Sequence, residues 1–175
     1  MPAIHLQLLA QSAALSARDP GRPVQASVRR ASSAAYYALF HFLLDEIGVQ
    51  LVGAARRDRR LRQALARSVD HSAFRECADR FLAGPGSLPE PLRRCIPDGS
   101  AASEDLSFVA KSFVELQRMR HAADYDLGIQ ITRPEAERAH WLATESIARW
   151  QRIRGTREAR VFGLAAVSWR GLRGR

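Results

Sequence analysis

Two segments of this 175-residue chain hold side chains able to do chemistry. The first runs Arg29-Arg30-Ala31-Ser32-Ser33-Ala34-Ala35-Tyr36-Tyr37-Ala38-Leu39-Phe40-His41. On a helix, Arg30, Ala34, Tyr37 and His41 share one stripe. That stripe carries a guanidinium, a phenol and an imidazole on an otherwise apolar face. The second segment, Leu116 to Asp126, holds Arg118, Arg120, His121, Asp124 and Tyr125. It reads as the C-terminal end of a helix followed by a turn, where a polar site can open to solvent. Metal-free cleavage of RNA needs a base for the 2′-hydroxyl, an acid for the leaving oxygen and a cation at the phosphate. Arg120, with Arg118 or Arg30, can serve the phosphate. His41 can do acid–base work, because an unperturbed imidazole titrates near pH ~6.5. Tyr125 can donate a hydrogen bond, Tyr37 can contact substrate, and Asp124 can orient a neighbouring His or Arg. A plainer reading stays open beside this one. Tyr37 and His41 can be interior groups that hydrogen-bond within the fold, and Arg120 can simply pair with Asp124 one turn on.

Other chemistries find little support. No phosphate-cradling glycine loop, paired-cysteine metal motif, H-E-x-x-H sequence or G-x-S-x-G elbow occurs. The five histidines (5, 41, 71, 121 and 140) are dispersed, with no two placed to share a metal on one helix face. No metal or cofactor is therefore expected. The two cysteines, Cys77 and Cys95, are too few for a disulfide scaffold. The longest apolar run, Ala34 to Leu44, is too short to cross a bilayer. A cytoplasmic setting with no membrane partner is expected.

The positioning elements read as helices throughout. Ala, Leu, Arg and Glu dominate, and β-branched residues are scattered. A first helix is expected from about Ile4 to Ala17, ended by a turn at Asp19-Pro20-Gly21. A second is expected from about Val24 to Leu51, with Val28, Ala31, Ala35, Leu39, Phe42 and Leu43 on its apolar face. Residues 56–67 hold six Arg and one Asp, with Leu61 and Leu65 spaced to dock together while the arginines face water. A short helix is expected over Ser72–Ala83, then a long irregular surface excursion from Gly84 to about Ser100. Ser103 predicts an N-cap for a helix to Tyr125, with Phe108, Phe113, Leu116 and Met119 on its apolar side. Thr132 and Glu135 predict a capping box for a helix to about Arg154, with Pro134 in its first turn. Val161 to Trp169 predicts one more short apolar helix. The expected fold is all-α: an antiparallel bundle of four main helices plus short ones.

Charge is unevenly placed. Residues 149–175 carry eight arginines and one acid, a net +7 of the chain's +9. The expected organisation is a helical bundle over residues 1–154 and a basic C-terminal extension over 155–175. That extension is expected to dock its apolar stretch and leave its arginines in solvent for a polyanion or a partner.

The two chemical segments together carry a resemblance. The pattern R-A-x-S-x-A-Y-Y-A-x-F-H over Arg30–His41, followed by R-x-x-A-D-Y-D over Arg120–Asp126, resembles the HEPN domain superfamily across about His5 to Arg154. The resemblance implies an all-α HEPN-like bundle that often dimerises, bringing two copies of the site together. Many members are metal-independent endoribonucleases or toxins, often encoded beside a minimal nucleotidyltransferase antitoxin. Others are non-catalytic and bind nucleotides or nucleic acid. Catalytic members carry Arg-x4-6-His. Here the position five residues after Arg120 is Tyr125, and His121 follows Arg120 directly. The resemblance thus implies a homodimer that binds RNA, a nucleotide or a partner protein, such as a nucleotidyltransferase, without strong catalysis. A metal-independent ribonuclease forming the toxin-like half of a two-component system is the alternative. A plain helical interaction protein is the third reading.

Overall fold

The structure is a computed structural model that describes residues 3–18, 21, 24–96 and 102–172. The expected turn at Asp19-Pro20, the end of the excursion at 97–101 and the last arginines, Arg173 and Arg175, lie outside the described residues. Among those residues there are eight α-helices and no strand. They are α1 (Ile4–Ala17), α2 (Gln25–Val52), α3 (Arg59–Ser68), α4 (His71–Leu82), α5 (Glu90–Arg93), α6 (Glu104–Tyr125), α7 (Arg133–Ile153) and α8 (Arg157–Leu172). Single 3-10 turns occupy Arg56–Asp58 and Pro85–Ser87. The fold is an all-α helical bundle. No single described helix is long and apolar enough to cross a membrane.

Local chemistry sets the helix starts. Ser103 Oγ accepts from Leu106 N at 3.1 Å, closing the first turn of α6. Glu135 Oε2 accepts from Thr132 N at 2.7 Å, and Thr132 Oγ1 accepts from Glu135 N at 3.4 Å, a reciprocal capping box at α7. Asp70 caps α4 by accepting from Ser72 N and Ala73 N, both at 2.9 Å.

The chain divides into two compact units, Met1–Phe42 with Ser112–Ala148, and Leu43–Lys111 with Arg149–Arg175. In the first, a small-residue core of Val28, Ala31, Ala123, Ile131 and Ala136 is sealed by Leu15. Tyr36, Phe40 and Phe113 form an aromatic cluster, with Tyr36 5.6 Å and Phe40 6.2 Å from Phe113 between ring centroids. Small side chains let α1 come close to α2: buried Ser12 donates to Ala31 O at 2.9 Å.

The second unit is built on larger aromatics. Phe162 on α8 lies against Phe74 at 5.8 Å, Phe81 at 5.0 Å and Trp150 at 6.0 Å. Trp169 is also buried, and a Cβ on Gly163 would meet Ile47 Cγ1 at 3.2 Å. The apolar stretch expected over Val161–Trp169 is therefore part of a longer helix with a buried face. Two local expectations change. Leu61 is 60% exposed and does not dock as expected, whereas Leu65 and Arg62 are half-buried. Arg62 donates to Gly53 O at 2.6 Å and to Ala55 O at 3.1 Å. The excursion after Gly84 is also not wholly on the surface: Leu88 and Leu92 are buried.

Candidate functional site

All seven residues expected at the site lie in the first unit, on α2 and on the last two turns of α6. Four of them meet. Arg120 Nη2 donates to Tyr37 Oη at 2.9 Å and to Tyr125 Oη at 3.3 Å. Arg120 Nε lies 2.7 Å from Asp124 Oδ2, an ionic contact rather than a well-aligned hydrogen bond. The guanidinium carbon sits 5.5 Å from the Tyr37 ring centre and 5.2 Å from that of Tyr125. One cation is thus framed by two phenols and a carboxylate, with both rings at cation–π range. Burial acts to lower the Arg120 pKa. Tyr37, Asp124 and Tyr125 outweigh it, so the group titrates above its ordinary range and stays cationic.

His41 joins this cluster through Tyr37, one turn away, the two rings stacked at 6.2 Å between centroids. It is half-buried, and burial holds its pKa below the usual imidazole value. Burial thus favours its neutral form. Tyr125 is 62% exposed and lies 5.0 Å from the ring of His121, also exposed. Arg118 is exposed and helps hold the Glu135 carboxyl below its usual range, an effect due first to the hydrogen bonds from Thr132. Arg30 is exposed on α2. Neither Arg118 nor Arg30 shares the Arg120–Tyr37–Asp124–Tyr125 network.

The row by which α2 meets the end of α6 and the segment after it has a different register from the one expected. It runs Gln25, Arg29, Ser33 and Tyr37, each one helical turn from the next, with His41 one turn further along α2. Gln25 clamps the backbone of Ile131, donating to its carbonyl at 2.9 Å and accepting from its amide at 3.0 Å. Arg29 donates to Ala123 O at 2.9 Å, to Asp126 O at 3.0 Å and to Ile129 O. Ala123 O belongs to the last turn of α6 and the other two carbonyls to the segment just after it, and a cation suits that end of the helix dipole. Ser33 donates to Asp124 Oδ1, so that carboxylate is held from one side by α2 and from the other by Arg120.

Sequence reasoning missed Arg29, Ser33 and Gln25. The signal was there in the strict four-residue recurrence of polar residues counted back from His41. Stepping from Tyr37 to Ala34 and Arg30 selected the adjacent row.

The cluster offers a fixed cation, two phenolic hydroxyls and an open aromatic face beside a turn. Among the described residues no three His, Cys, Asp or Glu side chains gather to hold a metal. These features define an all-α protein with an arginine–tyrosine cluster at one helix end. No protein-family model matches the chain, and no curated protein or solved structure is significantly similar to it.

Proposed function

We propose that the chain is a HEPN-like helical protein that binds a nucleotide or single-stranded RNA at the Arg120 cluster, without strong catalysis. The observation that carries this reading is the pairing of a permanent cation with the exposed ring of Tyr125. Unstacked bases are recognised by stacking on exposed aromatic rings, and phosphates by guanidinium groups. Tyr125 and His121 offer the ring faces, and Arg120, whose Nε side is paired with Asp124, offers the charge through the rest of its guanidinium group. Cleavage would need a proton donor beside the phosphate. His41 stacks on Tyr37, and burial lowers its pKa, which makes it a poorer reservoir of that proton and favours binding over chemistry. Dimerisation and a nucleotidyltransferase-type partner belong to the same proposal and rest on the resemblance.

The test is fluorescence polarisation with labelled single-stranded RNA and with a labelled adenine nucleotide, in EDTA. Tyr125→Ala is expected to weaken binding by the loss of one stacked base, about 1–3 kcal/mol. Arg120→Ala is expected to weaken it at least as much, while Arg30→Ala leaves it unchanged. Unaltered affinity in both Tyr125→Ala and Arg120→Ala would overturn the reading. Cleavage in EDTA that disappears with Arg120→Ala would replace it with the ribonuclease.

A further inference from the structure

The second unit carries a different concentration of charge. Residues 56–67, Arg-Arg-Asp-Arg-Arg-Leu-Arg-Gln-Ala-Leu-Ala-Arg, hold a net +5. Arg62 is held by the fold: it donates to Gly53 O and Ala55 O, and a Cβ on Gly48 would meet its stem at 3.4 Å. The other five, Arg56, Arg57, Arg59, Arg60 and Arg67, are exposed. Asp58 is the only acid in the stretch and is half-buried, touching Arg57 at 3.9 Å. Helical spacing places Arg60 and Arg67 on one outward row of α3, with Arg59 beside it, and Arg56 and Arg57 stand exposed in the 3-10 turn that precedes it. Arg60 and Arg67 are about 10 Å apart along the axis. The opposite face, with Leu65, Ala66 and Val69, is half-buried in the unit.

We infer that the outward face of α3 with its preceding turn is a binding surface for the phosphate backbone of nucleic acid, separate from the Arg120 cluster. Three features select this partner. The row is all arginine, and guanidinium groups match phosphate oxygens in bidentate geometry. The charges stand in an ordered helix instead of a solvated tail, which lowers the entropy lost on contact. A membrane-surface helix would need a free apolar face to insert. Here that face is turned into the protein, and the one large apolar side chain left outside is Leu61. Contacts from such a row to phosphates carry no sequence information directly, so the recognition proposed is of backbone charge.

The full-length chain is titrated with a labelled single-stranded RNA and a labelled duplex DNA across a series of salt concentrations. Arg56, Arg60 and Arg67 are replaced together by Gln. Each phosphate contact on a single strand contributes about 0.7 to the slope of log affinity against log salt, so the triple variant is expected to lose about 2 from that slope. Affinity at low salt should fall at least ten-fold. Lysine at the same three positions should keep the slope, which also guards against a folding defect in the Gln variant. Replacing Arg80, Arg93 and Arg160 by Gln removes the same net charge from other exposed positions. An unchanged slope in the α3 variant, or an equal loss in this control, would overturn the inference. So would tighter binding to phosphatidylserine vesicles than to either nucleic acid.

Discussion

Two arginine-rich stretches of the second unit use their charge in opposite ways. In 149–172, arginine is mostly consumed by the fold. Arg149 and Arg152 lie 3.3 and 2.8 Å from Asp105, Arg154 lies 2.6 Å from Glu46, and Arg170 lies 2.8 Å from Asp70. Arg157 donates to Cys95 O at 2.8 Å. In 56–67, arginine is mostly displayed: a single acid stands among six, and five guanidinium groups face solvent. Net charge over a window therefore says little about where a polyanion can bind. What matters is whether acids from elsewhere in the fold reach the same arginines. Asp105 and Glu46 are distant in sequence from the residues they neutralise, so charge counting along the chain could not see them.

The largest expected effect tests whether the C-terminal stretch belongs to the core. Phe162 is fully buried among three aromatic rings. Phe162→Ala is expected to cost about 3–5 kcal/mol, read from urea unfolding monitored by circular dichroism. Removing residues 155–175 takes Phe162 and Trp169 together and should abolish cooperative unfolding. A truncated chain that unfolds like the full one would restore a detachable basic tail.

The next effect concerns an arginine of the first unit that also serves the fold. Arg29 holds the carbonyls where α6 ends, and those carbonyls flank Asp124 and Tyr125. Arg29→Met keeps most of the stem and loses the charged hydrogen bonds. It is expected to cost about 1.5–3 kcal/mol and to increase amide exchange over residues 122–131. Arg30→Met, one residue away and exposed, should do neither. If the two variants behave alike, the register assigned to α2 is wrong.

This pair also marks how far the sequence could be read. The caps at Ser103 and Thr132–Glu135 were legible because they are local: donor and acceptor lie within one turn. The helix limits followed from them to within a residue or two, and the buried face of α2 from its apolar spacing. The choice between Arg29 and Arg30 was not legible. Rows of three- and four-residue spacing diverge along a helix, and only the crossing with α6 selects one. That Tyr37 meets Arg120 was not legible from spacing either, since no spacing rule links residues 83 apart. Leu61 was misplaced because apolar spacing with Leu65 does not say which of the two reaches the unit, and Arg62, a charged residue, is held inward by backbone carbonyls instead.

Acid should separate two sets of polar groups. His41 and His140 both have their pKa values lowered by burial, so the unfolded chain takes up protons that the native state resists. Their contribution to stability is complete above the ordinary value of about 6.5 and is lost as pH falls through the lowered native values. Asp70 is lowered first by its hydrogen bond from Ser72, and Asp105 by its hydrogen bond from Arg152. Their contribution is present above the ordinary carboxylate value of about 3.9 and is lost only as pH falls below it. Urea midpoints should therefore decline in two stages. His41→Gln with His140→Gln should flatten the upper stage and leave the lower one. A single decline confined to the carboxylate range would show that neither imidazole resists protonation in the native state.

The smallest expected effect on stability is at α3, and its smallness is what makes the comparison informative. Arg56, Arg60 and Arg67 are exposed, and no hydrogen bond ties their side chains to the fold as Arg62 is tied. Exposed substitutions away from caps and packed contacts usually change stability by less than about 0.5 kcal/mol. Glutamine at the three positions retains helix propensity and removes mutual repulsion among neighbouring cations, so the thermal midpoint should hold or rise slightly. Arg62→Gln should lower it, since Gly53 O and Ala55 O then lose their donor. Arginines kept without a stabilising role are arginines whose charge is open to something outside the chain. A triple variant that melts well below the native protein would mean that these side chains also serve the fold, and the distinction between consumed and displayed charge would collapse.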